Sequence, residues 1–409
     1  MPPPSLESNI SPLAVLEPSE VSALPSEAPT QTAPSYAAPG RKPALPALTG
    51  LRTVLAVNIM LFHFTPPHVG ILGPIINNAF VFVGFFFLIS GFVLAYNYAD
   101  RPTLRKQTFY VARLSRVYPV YLFTLLVSIP FLQQEWPAHS PHDFYLGLIL
   151  TPLTLQGWSP NLATFWNTVA WTLPAEMILY ALFPFLLIAL AAVYRGPLKR
   201  FASPGWLILT FLAFWLLGLV PHTLYLLLNP DHLTEPATRY TYGYYLRALK
   251  YTPPAYFCIF IAGVILARLH TALPLTPMRR GILAVGSLVA LALFFAFAVD
   301  RIPYVLVHGA IMLPLFAALL IGLAGPNLIA SVFSWRPLVL FGETTFCLYM
   351  LHFNVFQMIH FYHLPERLHL VAVDPWVSYL AIIALGFAVH SLVETPARRF
   401  VLTRFSPKR

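Results

Sequence analysis

Apolar residues in this chain come in long blocks. A helix needs about 20 mainly apolar residues to cross a bilayer. Blocks of that kind fall near 48–65, 78–98, 110–132, 174–194, 205–228, 254–270, 281–299, 304–324, 336–360 and 376–396. One further apolar stretch, FYLGLILTPLTLQGW at 144–158, is shorter and is interrupted by Pro152. The pattern predicts an all-α polytopic membrane protein. It has about ten transmembrane helices, with one re-entrant or interfacial segment near 135–173.

Composition supports the membrane reading. Of the 409 residues, 58% are apolar or aromatic and 10% are charged, against roughly a quarter charged in soluble domains. Residues 1–46 differ, being rich in Pro, Ser, Ala and Glu with no long apolar run. Such a stretch cannot bury a core and is read as a disordered cytoplasmic tail. Without a basic start and a long apolar core, it does not read as a signal peptide. The transmembrane domain is then 47–403, with a short basic tail at 404–409.

The charge distribution chooses the topology. If 144–158 does not cross and the N-terminus is cytoplasmic, 20 of the 25 Lys and Arg residues fall on the inner side. If 144–158 crosses, the split is about even and the positive-inside bias vanishes. This favours ten crossings of the inner (plasma) membrane with both termini cytoplasmic. The net charge of +10 then reflects the membrane, and no nucleic-acid partner is expected. Cys258 and Cys347 both sit in apolar runs, which argues against a disulfide framework or a zinc site. No metal is expected.

Ionisable residues inside apolar spans point to function by default. Arg52 and His63 are eleven residues apart in RTVLAVNIMLFH. That is within about 20° of whole helical turns, so both lie on one face, roughly 16 Å apart along the axis. Arg52 reads equally as a snorkelling interface arginine, and His63 as a core histidine. Arg113 and Arg116, in RLSRVYP, share a face. Two planar guanidiniums suit a phosphate or pyrophosphate, and equally an anionic lipid surface. In WTLPAEMILYALFP, Pro174 fits a first helical turn and Glu176 falls within it, where an anion is favoured. Tyr180 is one turn later. This segment is expected at the outer edge, at the depth of His63, although Glu176 could simply cap its helix. Tyr349 and His352, three apart, and His390 and Glu394, one turn apart, read from spacing alone as glue between helices. The Ser-Gly pair in FFFLISGF allows close helix approach. No GxxxxGK, HExxH, CxxC or GxSxG motif is present.

Together these segments resemble the acyltransferase family 3 membrane proteins over about residues 47–403. The shared elements are Arg52 and His63; Gly84, Phe87 or Phe86, Ser90 and Gly91; Arg113, Arg116, Tyr118 and Pro119; Trp171, Thr172, Leu173, Glu176 and Tyr180; Gly342, Thr345, Phe346, Tyr349 and His352; and Glu394, Pro396 and Arg398. Departures are mild: Thr at 172 and 345, and Phe at 346. The resemblance implies transfer of an acyl group, usually acetyl, from cytoplasmic acyl-coenzyme A to a hydroxyl of a carbohydrate or other envelope or exported acceptor. On that reading Arg113 and Arg116, with Arg52, hold donor phosphates. His63 is general base or transient acyl carrier, and Glu176 orients it or binds acceptor. Trp171, Tyr180, Tyr349 and His352 are candidate acceptor contacts. A competing class is a proton-coupled transporter or flippase of a glycan or lipid-linked substrate, since buried Arg, His and Glu also build proton relays.

Overall fold

The computed structural model describes residues 42–66, 69–100, 104–195, 199–241 and 243–405, without the side chains of 192–195. Most of the tail predicted at 1–46, together with Arg41, Arg101, Lys408 and Arg409, lies outside the described residues. The described residues are mostly helical and contain no strand.

The long helices follow the apolar blocks: α1 (Pro46–His63), α2 (Val81–Tyr98), α3 (Lys106–Val127), α4 (Pro141–Leu150), α5 (Thr172–Arg195), α6 (Pro204–Leu228), α7 (Tyr244–Tyr251), α8 (Phe257–Ala272), α9 (Pro277–Leu293), α10 (Leu313–Leu323), α11 (Arg336–Phe361), α12 (Trp376–Val389) and α13 (Thr395–Phe405). Among the described residues nine helical spans are long and apolar enough to cross a membrane. A tenth is obtained if α3 and the helical turns at Ile129–Ala138, bent by 54°, count as one crossing. Nine of the ten predicted spans are therefore matched, and the one at 110–132 is matched if the bent pair counts as one crossing. The short α4 is not among them, so 144–158 does not form a spanning helix.

Glycines let two of the central pairs approach closely. A Cβ on Gly91 of α2 would lie 2.1 Å from the Phe260 carbonyl oxygen, and one on Gly263 of α8 would lie 2.2 Å from that of Leu88. Lipid offers no hydrophobic drive between helices, so van der Waals contact between small residues holds such pairs. The Ser-Gly pair singled out in α2 has this role. In the same way, a Cβ on Gly342 of α11 would meet the Thr49 carbonyl oxygen of α1 at 2.1 Å. The Thr53 hydroxyl adds a 2.6 Å bond to the Leu338 carbonyl. From this contact α1 and α11 run in the same direction, carrying His63 and His352 to one place.

Where α1 begins, Asp100 pairs with Lys42 at 2.5 Å and with Arg268. Burial works against the Asp100 charge, but the two cations hold its carboxyl below the usual carboxylate range. This tie joins the start of α1 to the ends of α2 and α8.

Candidate active site

Helix α1 stops at His63 because Pro66 follows three residues later and disfavours helical geometry before it. The half-buried His63 ring is thereby left at a helix end. Its ring neighbours are Phe62 at 5.1 Å, Phe353 at 5.1 Å and His352 at 5.2 Å between centroids. His352 is 1% exposed, and its Nδ1 lies 2.7 Å from the Tyr349 carbonyl oxygen. A carbonyl only accepts, so Nδ1 carries the proton and Nε2 offers a lone pair. That Nε2 is buried and has no hydrogen-bond partner among the described residues. On the other side of His63, the Arg239 guanidinium covers Phe62 at 5.1 Å.

The segment after α4 enters the bundle. Residues 151–171 are mostly non-helical yet many of them are buried, with Gln156 and Asn167 fully so. Irregular backbone at such depth needs partners from the protein, and side chains of α3 and α11 supply them. Tyr121 donates to the Thr151 carbonyl. Asn167 donates to the Met350 carbonyl at 3.1 Å, Asn354 to that of Trp166 at 3.0 Å, and Tyr349 to that of Val169 at 3.2 Å. Thr154 and Trp166 hold left-handed backbone here (φ 57° and 67°), a strain that persists only where surroundings enforce it. The segment is thus a re-entrant element, one of the two forms expected for 135–173. Trp171 at its end packs 5.2 Å from Tyr251 and 5.5 Å from Tyr256.

This entry corrects the expected depth of Glu176 and Tyr180. Val169 meets Tyr349 near the middle of the 26-residue α11, so α5 begins inside the bundle rather than at its edge. The Tyr180 hydroxyl donates to Glu176 Oε1, and the Arg113 guanidinium lies 5.9 Å from the Tyr180 ring. The charged groups acting on Arg52 are Arg116, Glu176 and Glu394. Those acting on His63 are His352 and Arg239. The structure therefore pairs Glu176 with Tyr180 and the arginines, not with His63.

The arginines form a second centre. Arg52 sits 5.9 Å from the Phe86 ring, and Arg113 also lies 5.9 Å from Phe109. Arg398 of α13 is in the field of Arg116, Arg113 and Glu394. No ion pair joins Arg52, Arg113, Arg116 or Arg398 to a carboxylate among the described residues. Arg113 Nε is buried without a partner. Glu394 is taken up by His390 and Cys347. Four guanidiniums thus face two carboxylates that are bonded elsewhere. Arg52, Arg113 and Arg116 are half-buried and Arg398 is exposed, so the cluster carries positive charge that its two carboxylates do not pair.

A family model described as an acyltransferase domain matches residues 45–394. The chain belongs to acyltransferase family 3. It is 28% identical over 394 residues, 89% of this chain and 94% of the other, to a protein named "Acyltransferase MdmB" from Streptomyces mycarofaciens. It is 24% identical over 387 residues to "Putative O-acetyltransferase SACOL0978" from Staphylococcus aureus (strain COL), covering 87% of this chain and 57% of that protein. No solved structure matches the chain. As a family 3 acyltransferase it is a membrane-embedded enzyme that acts on an acyl donor and an acceptor. The proton-coupled transporter or flippase is set aside on that ground.

Three members of the site escaped the sequence reading. In the sequence Arg398 belongs only to a closing motif, and Arg239 and Asn167 belong to no motif. Asparagine in an apolar neighbourhood was the one available signal for Asn167.

Proposed function

We propose that this enzyme moves an acetyl group from cytoplasmic acetyl-coenzyme A to a hydroxyl of a carbohydrate or related envelope or exported acceptor. The arrangement of α1 carries the reading: unpaired arginines surround Arg52, two imidazoles meet at His63, and the two centres are roughly 16 Å apart on one helical face. Arg52, Arg113 and Arg116 hold the donor phosphates, since guanidinium forks bind phosphate bidentately. The pantetheine arm runs between helices toward His63. The acceptor arrives from the other side of the inner (plasma) membrane, with both termini of the enzyme cytoplasmic. Acetyl as the group is supported by the O-acetyltransferase name of a relative.

His63 removes the acceptor hydroxyl proton as the oxygen attacks the thioester carbonyl. The carbon–sulfur bond then breaks, and the coenzyme A thiolate leaves with the proton held by the His63 imidazolium. His352 lies beside His63 with its own Nδ1 proton committed. It positions the His63 ring and keeps a lone pair next to it. Glu176, bonded to Tyr180, balances part of the arginine charge rather than orienting His63. Trp171 and Tyr349 line the acceptor's path.

Purified protein supplied with labelled acetyl-coenzyme A and candidate acceptors tests this. His63→Ala is expected to abolish transfer while donor binding remains. Retained turnover overturns the assignment of His63 as base.

A further inference from the structure

Helix α11 and the turn that follows α12 carry a cluster that the acyl-transfer chemistry leaves unused. Cys347 Sγ lies 3.2 Å from Glu394 Oε2, and His390 Nδ1 lies 2.9 Å from the same oxygen. The three donor atoms fall within 4.8 Å of one another. Cys347 and Glu394 are buried, and His390 is half-buried. His390 and Glu394 occupy a single π-helical turn, His390–Glu394, inserted between α12 and α13. Single π-turns of this kind occur frequently at functional sites.

We propose that Cys347, His390 and Glu394 bind a borderline-soft divalent cation of the zinc class. A thiolate, an imidazole and a carboxylate converging from two helices make the donor set such ions select, whereas hard cations such as magnesium take oxygen ligands. Charge balance fits the location. Thiolate and carboxylate cancel the dication, so the occupied site is neutral. That matters because Arg116 and Arg398 lie in its field, where a site built from neutral ligands alone would carry two uncompensated positive charges. Three protein ligands leave a fourth position for water. The ion ties α11 to the turn that leads into α13 and so to Arg398.

Cobalt(II) is the probe. Titrated into the full-length protein in detergent after chelator treatment, it is expected to give thiolate-to-cobalt charge-transfer absorption that saturates at one ion per chain. The chain has two cysteines, so Cys258→Ser retains the band and Cys347→Ser removes it. His390→Ala is expected to weaken cobalt binding by more than the roughly 10- to 100-fold that loss of an outer-sphere partner costs. Zinc, but not magnesium, displaces the cobalt. Absence of the band, or its loss in Cys258→Ser, overturns the proposal. If Cys347→Ser does not yield folded protein, unchanged cobalt affinity in His390→Ala overturns it alone.

Discussion

The imidazole of His63 lies 5.2 Å from that of His352, centroid to centroid, though one residue closes the first membrane helix and the other sits in the ninth predicted span. The approach of α1 to α11 at Gly342 makes this possible. The pairing sets one imidazole with a determined tautomer beside one at a helix end.

His352 is therefore expected to matter to turnover more than to donor binding. His352→Ala should lower kcat by about 100-fold, at the lower end of a general-base contribution, with little change in the KM for acetyl-coenzyme A. His352→Gln keeps a donor for the Tyr349 carbonyl and an acceptor in place of Nε2, so it should recover part of the loss. Steady-state kinetics on the three proteins decides. Equal loss in both variants returns His352 to a packing role.

The arginine centre should act on the donor alone. A hydrogen bond to a charged group is worth about 1.5–3 kcal/mol, so Arg113→Ala should raise the acetyl-coenzyme A Kd by roughly ten- to a hundredfold. Arg116→Ala should act similarly, and acceptor KM should stay near its original value. Equilibrium binding of a non-hydrolysable donor analogue reads this. Unchanged donor affinity assigns these arginines to the lipid surface.

Close helix approach gives a stability prediction. A methyl added at Gly91 would lie 2.1 Å from the Phe260 carbonyl oxygen, which backbone cannot relieve cheaply. Gly91→Ala should cost about 1–3 kcal/mol, as overpacking does, and Gly91→Leu should prevent recovery of folded protein. Gly286→Ala, where nothing lies within 4 Å, is the matched control. Thermal unfolding in detergent compares them.

Lys250 supplies a pH signature. It is 3% exposed, its Nζ donates to the Arg239 carbonyl at 3.2 Å, and burial lowers its amine from 10.5 to about 8. Between those two values the unfolded chain holds a proton that the folded chain has released, so stability rises with pH across that window. Below about pH 8 both states are protonated and the burial penalty is constant. Lys250→Met should remove the rise. A melting temperature that climbs equally in the variant from pH 8 to 10 disproves the assignment.

All ten apolar blocks, the non-crossing 144–158 stretch and the shared face of Arg52 and His63 were legible in the sequence. They follow from local rules: hydropathy over about 20 residues and helical phase. The depth of Glu176 was not legible. Its helix starts where residues 151–171 place it, and that non-helical stretch is held by Tyr121, Tyr349 and Asn354 from distant parts of the chain.

The sequence by itself determined the helices, their number and the residues able to do acyl-transfer chemistry. Apolar length and periodicity are properties of contiguous residues. Only the tertiary structure decided which of those residues meet. It put His352, not Glu176, beside His63, moved Glu176 and Tyr180 to the arginines, and brought Cys347 to His390 and Glu394. These meetings depend on backbone approach at glycines and on a buried irregular segment whose hydrogen bonds come from remote side chains, and neither leaves a local period in the chain.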